Sequence, residues 1–185
     1  VYTNAIFGFM NIYLKQVAEA KPDTIAVAFD LRQPTFRHKA VATYKANRKG
    51  MPEELAMQLP YVKQLLTLLG VQVVTCEGYE ADDILGTLAA ACTAQHASCD
   101  ILTGDRDSLQ LVRENVTVRL ATNKETILFT PERFQEEYGF APLSLIDLKA
   151  LMGDSSDNIA GVAGVGQKTA SKLIQAWGTV ENLYA

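Results

Sequence analysis

The stretch Met152–Ala170, MGDSSDNIAGVAGVGQKTA, decides the reading of this chain. Its front half sets two carboxylates, Asp154 and Asp157, among small polar residues. Its back half carries Gly161, Gly164 and Gly166 and runs straight into a basic helix start, Gln167–Lys172. Glycine permits positive φ and close backbone approach. A helix that follows such a turn exposes unpaired N–H groups and the positive end of its dipole, which suits a phosphate oxygen. Acids able to hold a metal therefore adjoin amides and lysines able to hold a phosphate. That combination points to a divalent cation brought to a nucleic-acid backbone.

Two other readings of the stretch are open. A nucleotide P-loop needs a glycine, four residues, then glycine and lysine in succession. Here Gln167 separates Gly166 from Lys168, and an acidic loop rather than a strand precedes the glycines, so that reading fails. An ordinary helix–turn–helix corner with glycine caps remains as the plainer alternative.

Outward from this stretch, 185 residues suit one domain, or one domain with a small appendage. A hydrophobic content of 48% supports a sizeable core and argues against disorder. There is no charged-then-apolar leader and no apolar run of membrane-spanning length. Cys76, Cys92 and Cys99 are odd in number and lack metal-site spacing; they read as reduced core thiols of a cytoplasmic protein. The net charge of −4 sits awkwardly with nucleic-acid binding. Setting aside the eight acids discussed below leaves 17 bases against 13 acids, a mildly basic remainder. Cations bound at an acidic cluster would make that remainder the effective surface.

The element pattern predicts an α/β fold. Asn4–Ala20 has the 3.6-residue periodicity of an amphipathic helix. Thr24–Phe29, Val71–Thr75 and Asp100–Thr103 are short apolar runs of the kind found in buried parallel strands. A helix is expected from Pro52 to Leu69, kinked at Pro60, and another over Glu80–His96. Val116–Ala121 and Thr126–Phe129 suggest a hairpin. Pro131–Tyr138, Leu143–Met152, Gln167–Trp177 and Thr179–Tyr184 read as short helices. The expected architecture is a mostly parallel central sheet flanked by helices over residues 1–142, with a helical subdomain over 143–185.

Ligands in open α/β sheets sit beyond the carboxyl ends of the strands. Asp30, the run Glu80–Asp83 and the pair Asp105 and Asp107 each follow a predicted strand, so three segments are expected to deliver acids to one edge of one sheet. Asp154 and Asp157 would close over that edge from the helical subdomain. So many carboxylates need a counter-charge. With no histidine or cysteine among them, magnesium or manganese fits best. Two ions about 4 Å apart can activate water and stabilise a leaving oxygen in phosphodiester hydrolysis. The plainer reading is that some of these acids, Asp83 and Asp157 in particular, only cap helices or turns.

Leu31–Gly50 holds Arg32, Arg37, Lys39, Lys45, Arg48 and Lys49 and no acid. Drawn as a helix, Phe36–Arg48 would place Tyr44, Lys45 and Arg48 on one face. An aromatic ring beside two cations can stack a base and grip a phosphate, although a basic run is more often a solvated face. His38 and His96 read as bystanders, since nothing pairs either with a nucleophile.

The motif MGDSSDNIAGVAGVGQKTA, together with GYEADD (Gly78–Asp83), LTGDRD (Leu102–Asp107) and FRHKAVATYKANRKGMPEEL (Phe36–Leu55), resembles the flap endonuclease family. The form it is similar to is the 5′-3′ exonuclease (5′-nuclease) domain of bacterial DNA polymerase I, in motif order and spacing over nearly the whole chain. The resemblance implies a PIN-like 5′-nuclease core, a basic helical arch over about residues 32–50 and a C-terminal helix–hairpin–helix subdomain. It implies that Asp30, Glu80, Asp82, Asp83, Asp105, Asp107, Asp154 and Asp157 are metal-site acids, with Asp82, Asp83 and Asp105 in direct contact. It implies that Lys45 and Arg48 are catalytic cations and that Arg37 and Tyr44 steer a single strand. Gly161, Gly164, Gly166, Lys168, Thr169 and Lys172 would hold the DNA backbone, with a monovalent cation as a further candidate at the hairpin. The implied partners are DNA with a 5′ end, flap or nick, and a polymerase domain in the same parent chain. The implied setting is the bacterial nucleoid.

The sequence departs from the family pattern in three places. Members normally begin with another strand that carries a further metal-binding aspartate, whereas this sequence begins at Val1, next to the first helix. A sheet short of a central strand is therefore expected, and a chain that is a fragment of a longer nuclease or polymerase. Ala160 and Ala163 stand where proline is frequent. The leading expectation is a metal-dependent 5′-3′ exonuclease and flap endonuclease. The alternatives are a structure-specific DNA-binding fragment that does not cut, and a ribonuclease of the related compact metal-nuclease group.

Overall fold

The structure, a computed structural model, describes residues 2–185. In chain order the helices and strands are α1 (Asn4–Ala20), β1 (Ala26–Ala28), α2 (Phe36–Ala40), α3 (Glu53–Ala56), α4 (Leu59–Leu68), β2 (Gln72–Val74) and α5 (Ala81–Ala94). They continue with β3 (Cys99–Thr103), β4 (Val116–Ala121), β5 (Thr126–Phe129), α6 (Pro131–Tyr138), α7 (Leu145–Met152), β6 (Gly153–Asp154), β7 (Ile159–Ala160), α8 (Gln167–Trp177) and α9 (Val180–Tyr184). The chain divides into two compact units. One holds the residues up to Phe36 together with Arg48–Ile84, and the other holds Arg37–Asn47 and Leu85–Ala185.

In the first unit β1 and β2 pair in parallel, Ala26 opposite Gln72 through Ala28 opposite Val74. Val62 and Leu66 on α4, with Val71, are buried against Ile6, Phe9 and Tyr13 of α1 and against Val27 and Val73 of the strands. The spacing of Phe9 and Tyr13, and of Val62 and Leu66, puts each pair on one helical face. Buried Gln58 closes this unit by capping α1. Its Oε1 accepts from the Ala5 amide at 2.8 Å, and its Nε2 donates to Asn4 Oδ1 and to the Glu54 carbonyl. Thr3 at the N-cap makes no side-chain cap bond, so a side chain from elsewhere in the unit satisfies two of the orphan donors, the amides of Ala5 and Ile6.

The second unit is built on a three-stranded sheet in which β3 runs parallel to β4 and β4 antiparallel to β5. Val116, Val118 and Leu120 alternate inward along β4 and pack with Phe129, Phe134, Leu148 and Ile174. Phe134 stacks on Tyr138 at 4.4 Å between ring centroids. Ala170 and Ile174, four residues apart on α8, are buried, while Lys168 and Lys172 face outward.

The α/β class, with parallel pairing and a helical C-terminal part, agrees with the sequence pattern. Three details are corrected. The strands form separate hydrogen-bonded sheets rather than one, with β1 and β2 pairing only with each other among the described residues. An apolar run announces a strand but not its neighbours. Pro52–Leu69 is two helices, α3 and α4, and not one kinked helix. Pro60 occupies the first turn of α4, where its missing N–H costs no hydrogen bond. The helix drawn over Phe36–Arg48 ends at Ala40, and turns follow as far as Asn47. Lys45 has φ 54°, a left-handed conformation that no helix interior accepts.

Candidate metal centre and nucleic-acid interface

In the first unit the acids meet at the start of α5. Asp30 leaves the end of β1, and its Oδ1 accepts from the Ala81 amide at 2.7 Å. The Glu80 amide donates to Asp83 Oδ2 at 2.9 Å. Asp82 and Asp83 occupy the first turn of α5, where the helix dipole favours negative charge. The capping role weighed for Asp83 is therefore real, and it brings Asp30, Glu80, Asp82 and Asp83 to one helix end.

In the second unit Asp105 caps the 3-10 turn Arg106–Leu111 by accepting from the Asp107 amide at 2.9 Å. Arg106 ties that turn to α6 by donating to the Tyr138 hydroxyl at 3.0 Å. Asp107 and Asp154 share one ammonium: Lys149 Nζ lies 2.6 Å from Asp107 Oδ1 and 2.5 Å from Asp154 Oδ2. Asp154 Oδ1 also accepts from the amide and the hydroxyl of Ser156.

The two carboxyls respond differently to that shared cation. Burial pushes the Asp107 carboxyl above its ordinary value, and Lys149 only partly offsets it. Burial acts in the same direction on Asp154, but the Lys149 and Ser156 hydrogen bonds outweigh it and hold that carboxyl at about 2. On Lys149 burial works downward, the two carboxylates work upward, and the upward effect wins.

Lys149 was not legible as a site residue. The available signal was the single cation of the helix LIDLKALM, whose remaining residues apart from Asp147 are apolar, immediately before an acidic loop. Its position also tests the fit of a metal. Among the described residues no three His, Cys, Asp or Glu side chains lie close enough to hold an ion. Where two carboxylates converge, however, the chain itself supplies a positive group. Paired carboxylate oxygens that require a counter-charge are the donor type suited to a hard divalent cation.

The basic segment is a turn and not a helical face. Tyr44 is buried, 6% exposed, with its ring edge-on to His38 at 5.1 Å. Lys45 Nζ lies 4.9 Å from the centroid of the same ring, a cation–π distance. The expected placement of Tyr44, Lys45 and Arg48 on one helical face is therefore corrected, because the helix that would align them stops at Ala40. Arg37, Tyr44 and Lys45 fall in the second unit and Arg48 in the first.

In the glycine stretch the close approach is between Gly153 and Gly161. A Cβ on either would collide with the backbone of the other's strand. Gly164 has φ +79° and turns the chain toward α8, while Gly166 is extended and opens the helix. Lys168, Thr169 and Lys172 are exposed on the first turns of α8. The thiol of Cys99 is pushed up to about 11 by burial and by the neighbouring Cys92.

Two family descriptions cover the chain. Residues 1–139 match the 5′-3′ exonuclease N-terminal resolvase-like domain, and residues 140–185 match the 5′-3′ exonuclease C-terminal SAM fold. The chain belongs to the 5′-3′ exonuclease family. DNA polymerase I of Caldicellulosiruptor bescii is 44% identical over 98% of the chain, and the thermostable DNA polymerase I of Thermus filiformis is 47% identical over 96%. The chain spans about a fifth of the length of these relatives, 22% and 21%. Among solved structures, zinc-bound T5 5′-exonuclease superposes with a TM-score of 0.79 at 23% identity, covering 99% of this chain and 70% of that one. A catalytic core of Rad2 in complex with DNA substrate gives a TM-score of 0.65 at 20% identity, over 99% of this chain and 56% of that one. At that identity the structural likeness speaks for the fold: a resolvase-like, PIN-type α/β domain followed by a small helical domain.

Proposed function

We propose that this chain hydrolyses DNA phosphodiesters at 5′ ends and flaps, as a divalent-metal-dependent 5′-3′ exonuclease and flap endonuclease. The observation that carries the reading is the Asp107–Lys149–Asp154 contact in a 5′-3′ exonuclease family chain. Carboxylates on different elements converge on one positive charge. Magnesium or manganese, when bound, would make a water nucleophilic and offset charge on the leaving oxygen.

The chain's own groups have distinct tasks in this reading. Asp30, Glu80, Asp82 and Asp83 in one unit, and Asp105, Asp107, Asp154 and Asp157 in the other, are the acids that would hold the ions. Lys45 and Arg48 offset negative charge on the scissile phosphate, an electrostatic task that suits preorganised cations. Arg37 and Tyr44 guide the 5′ strand. The hairpin glycines, with Lys168, Thr169 and Lys172, hold the duplex backbone through amides and charge. DNA with a 5′ end, flap or nick is the substrate. A polymerase domain in the same parent chain is the natural companion, and the bacterial nucleoid is the setting.

Replacing Asp82 and Asp83 together by Asn tests this assignment. Cleavage of a 5′-flap duplex should fall at least 100-fold, on the order of the loss when a charged catalytic group is removed, while duplex binding is largely kept. Full cleavage by the double variant sinks the assignment. A second reading, binding without cutting, draws on the lack of any three-acid group close enough for an ion among the described residues. It requires intact DNA binding by a purified chain that never cleaves in any divalent metal.

A further inference from the structure

The turn that carries Lys45 is stitched to the loop that carries Asp154 and Asp157. Three hydrogen bonds join them. The Asn158 side-chain amide donates to the Thr43 carbonyl at 2.8 Å, the Lys45 backbone amide donates to the Asp157 carbonyl at 2.9 Å, and the Asn47 side-chain amide donates to the Ser155 carbonyl at 2.9 Å. The joined residues are more than 100 positions apart in sequence, and both segments belong to the same compact unit.

Both sides of this clasp are conformationally specified. Lys45 at φ 54° and Asn158 at φ 58° occupy the left-handed region. Asn enters that region readily; lysine does so at a cost of about 1–2 kcal/mol, so the surroundings must impose it. The segment from Val41 to Asn47 has no regular helix or strand to impose it. The acid loop, in contrast, is fixed at its base by the Gly153–Gly161 contact and internally by the Asp154–Ser156 bonds.

We infer that Asn158, assisted by Asn47, is a positioning residue that sets the place of Lys45 relative to the acid loop. The basic turn takes its conformation from the loop, so a displacement of the Asp154–Asp157 loop is passed to Lys45 through peptide and amide hydrogen bonds. The catalytic consequence rests on the nuclease reading above. The clasp itself does not.

Asn158→Gly in the full 185-residue chain is the suitable variant, because glycine keeps the left-handed backbone and removes only the side-chain donor. Hydrogen exchange at the amides of residues 43–47 is read by NMR or mass spectrometry. Exchange of the Lys45 amide should accelerate about tenfold or more, which is the loss of roughly one hydrogen bond's protection. On 5′-flap DNA, single-turnover cleavage should fall about tenfold with the dissociation constant unchanged within about twofold, the pattern of a misplaced group that acts in the transition state. Unchanged exchange at Lys45 overturns the clasp. Faster exchange with unchanged cleavage overturns the positioning role. Because the exchange measurement needs no cleavage, failure of the nuclease reading and failure of the clasp are separate results. Should Asn158→Gly unfold, Asn47→Ala removes the other exposed leg and must accelerate the same amides for the inference to stand.

Discussion

Lys149 Nζ sits 2.5 Å from Asp154 Oδ2 while also holding Asp107, so a single ammonium neutralises two acids of the candidate site. Removing it leaves both carboxylates facing each other without a counter-charge. Lys149→Met should lower stability by about 1–2 kcal/mol, the range for a partly exposed charged hydrogen bond. It should also enlarge the rise in melting temperature that magnesium produces, because an external cation then replaces an internal one. Thermal denaturation with and without magnesium reads both. A smaller magnesium effect in the variant would show that Lys149 does not occupy a cation position.

The same contact predicts opposite responses from its two acids. The folded-state value of Asp154 lies below its unfolded value, so its contribution is present at neutral pH and is lost as pH falls from about 3.8 toward about 2. Lys149 is raised, so its share is complete below 10.5 and is lost as pH climbs beyond that value. Asp107 is raised by burial, so its ionised form opposes folding above its ordinary value. Asp154→Asn should therefore destabilise the chain at pH 7 by about 1–2 kcal/mol, and Asp107→Asn should be neutral or stabilising. Urea denaturation of the two variants at pH 7 decides it, and equal destabilisation refutes the asymmetry.

Gly153 and Gly161 meet backbone to backbone at the base of the acid loop. Gly161→Ala should cost more than about 3 kcal/mol or displace the loop, because the atoms it would strike are backbone and cannot step aside. Gly166→Ala, in open space at φ −93°, should change stability by less than about 0.5 kcal/mol. Gly164→Ala should fall between them at about 1 kcal/mol, since its space is open but its φ is +79°. A different rank order in denaturant midpoints would contradict the close approach.

Gln58 replaces a local cap at the start of α1. Gln58→Ala should cost about 2 kcal/mol through the Ala5 amide left unpaired and the space left in the core of the first unit. Hydrogen exchange at the first turn of α1 should accelerate in step. Loss confined to the α4 side would assign Gln58 to packing alone.

These relationships mark what the sequence could show. Asn4–Ala20, the β4–β5 hairpin and Gln167–Trp177 agree in their limits with the sequence expectation, because a helical stripe or a paired alternation is local information. The end of the second helix at Ala40 was not legible. Nothing in FRHKAVATYKANR forbids helix, and the turn is imposed by Asn158, Asp157 and Ser155, more than 100 residues away. Strand ends and turns attract acids, and Asp30, Asp83, Asp105 and Asp154 each accept a backbone amide there. Lys149 escaped notice because a lysine near a helix end resembles any other surface lysine until its two partners are placed.

The most direct measurement is cleavage of an end-labelled 5′-flap DNA by the purified chain, in magnesium or manganese, against a chelator control. Metal-dependent release of the flap, abolished by the Asp82→Asn and Asp83→Asn pair, is the expected result. Flap DNA that is bound yet stays intact in both metals contradicts the nuclease assignment and leaves a DNA-binding chain.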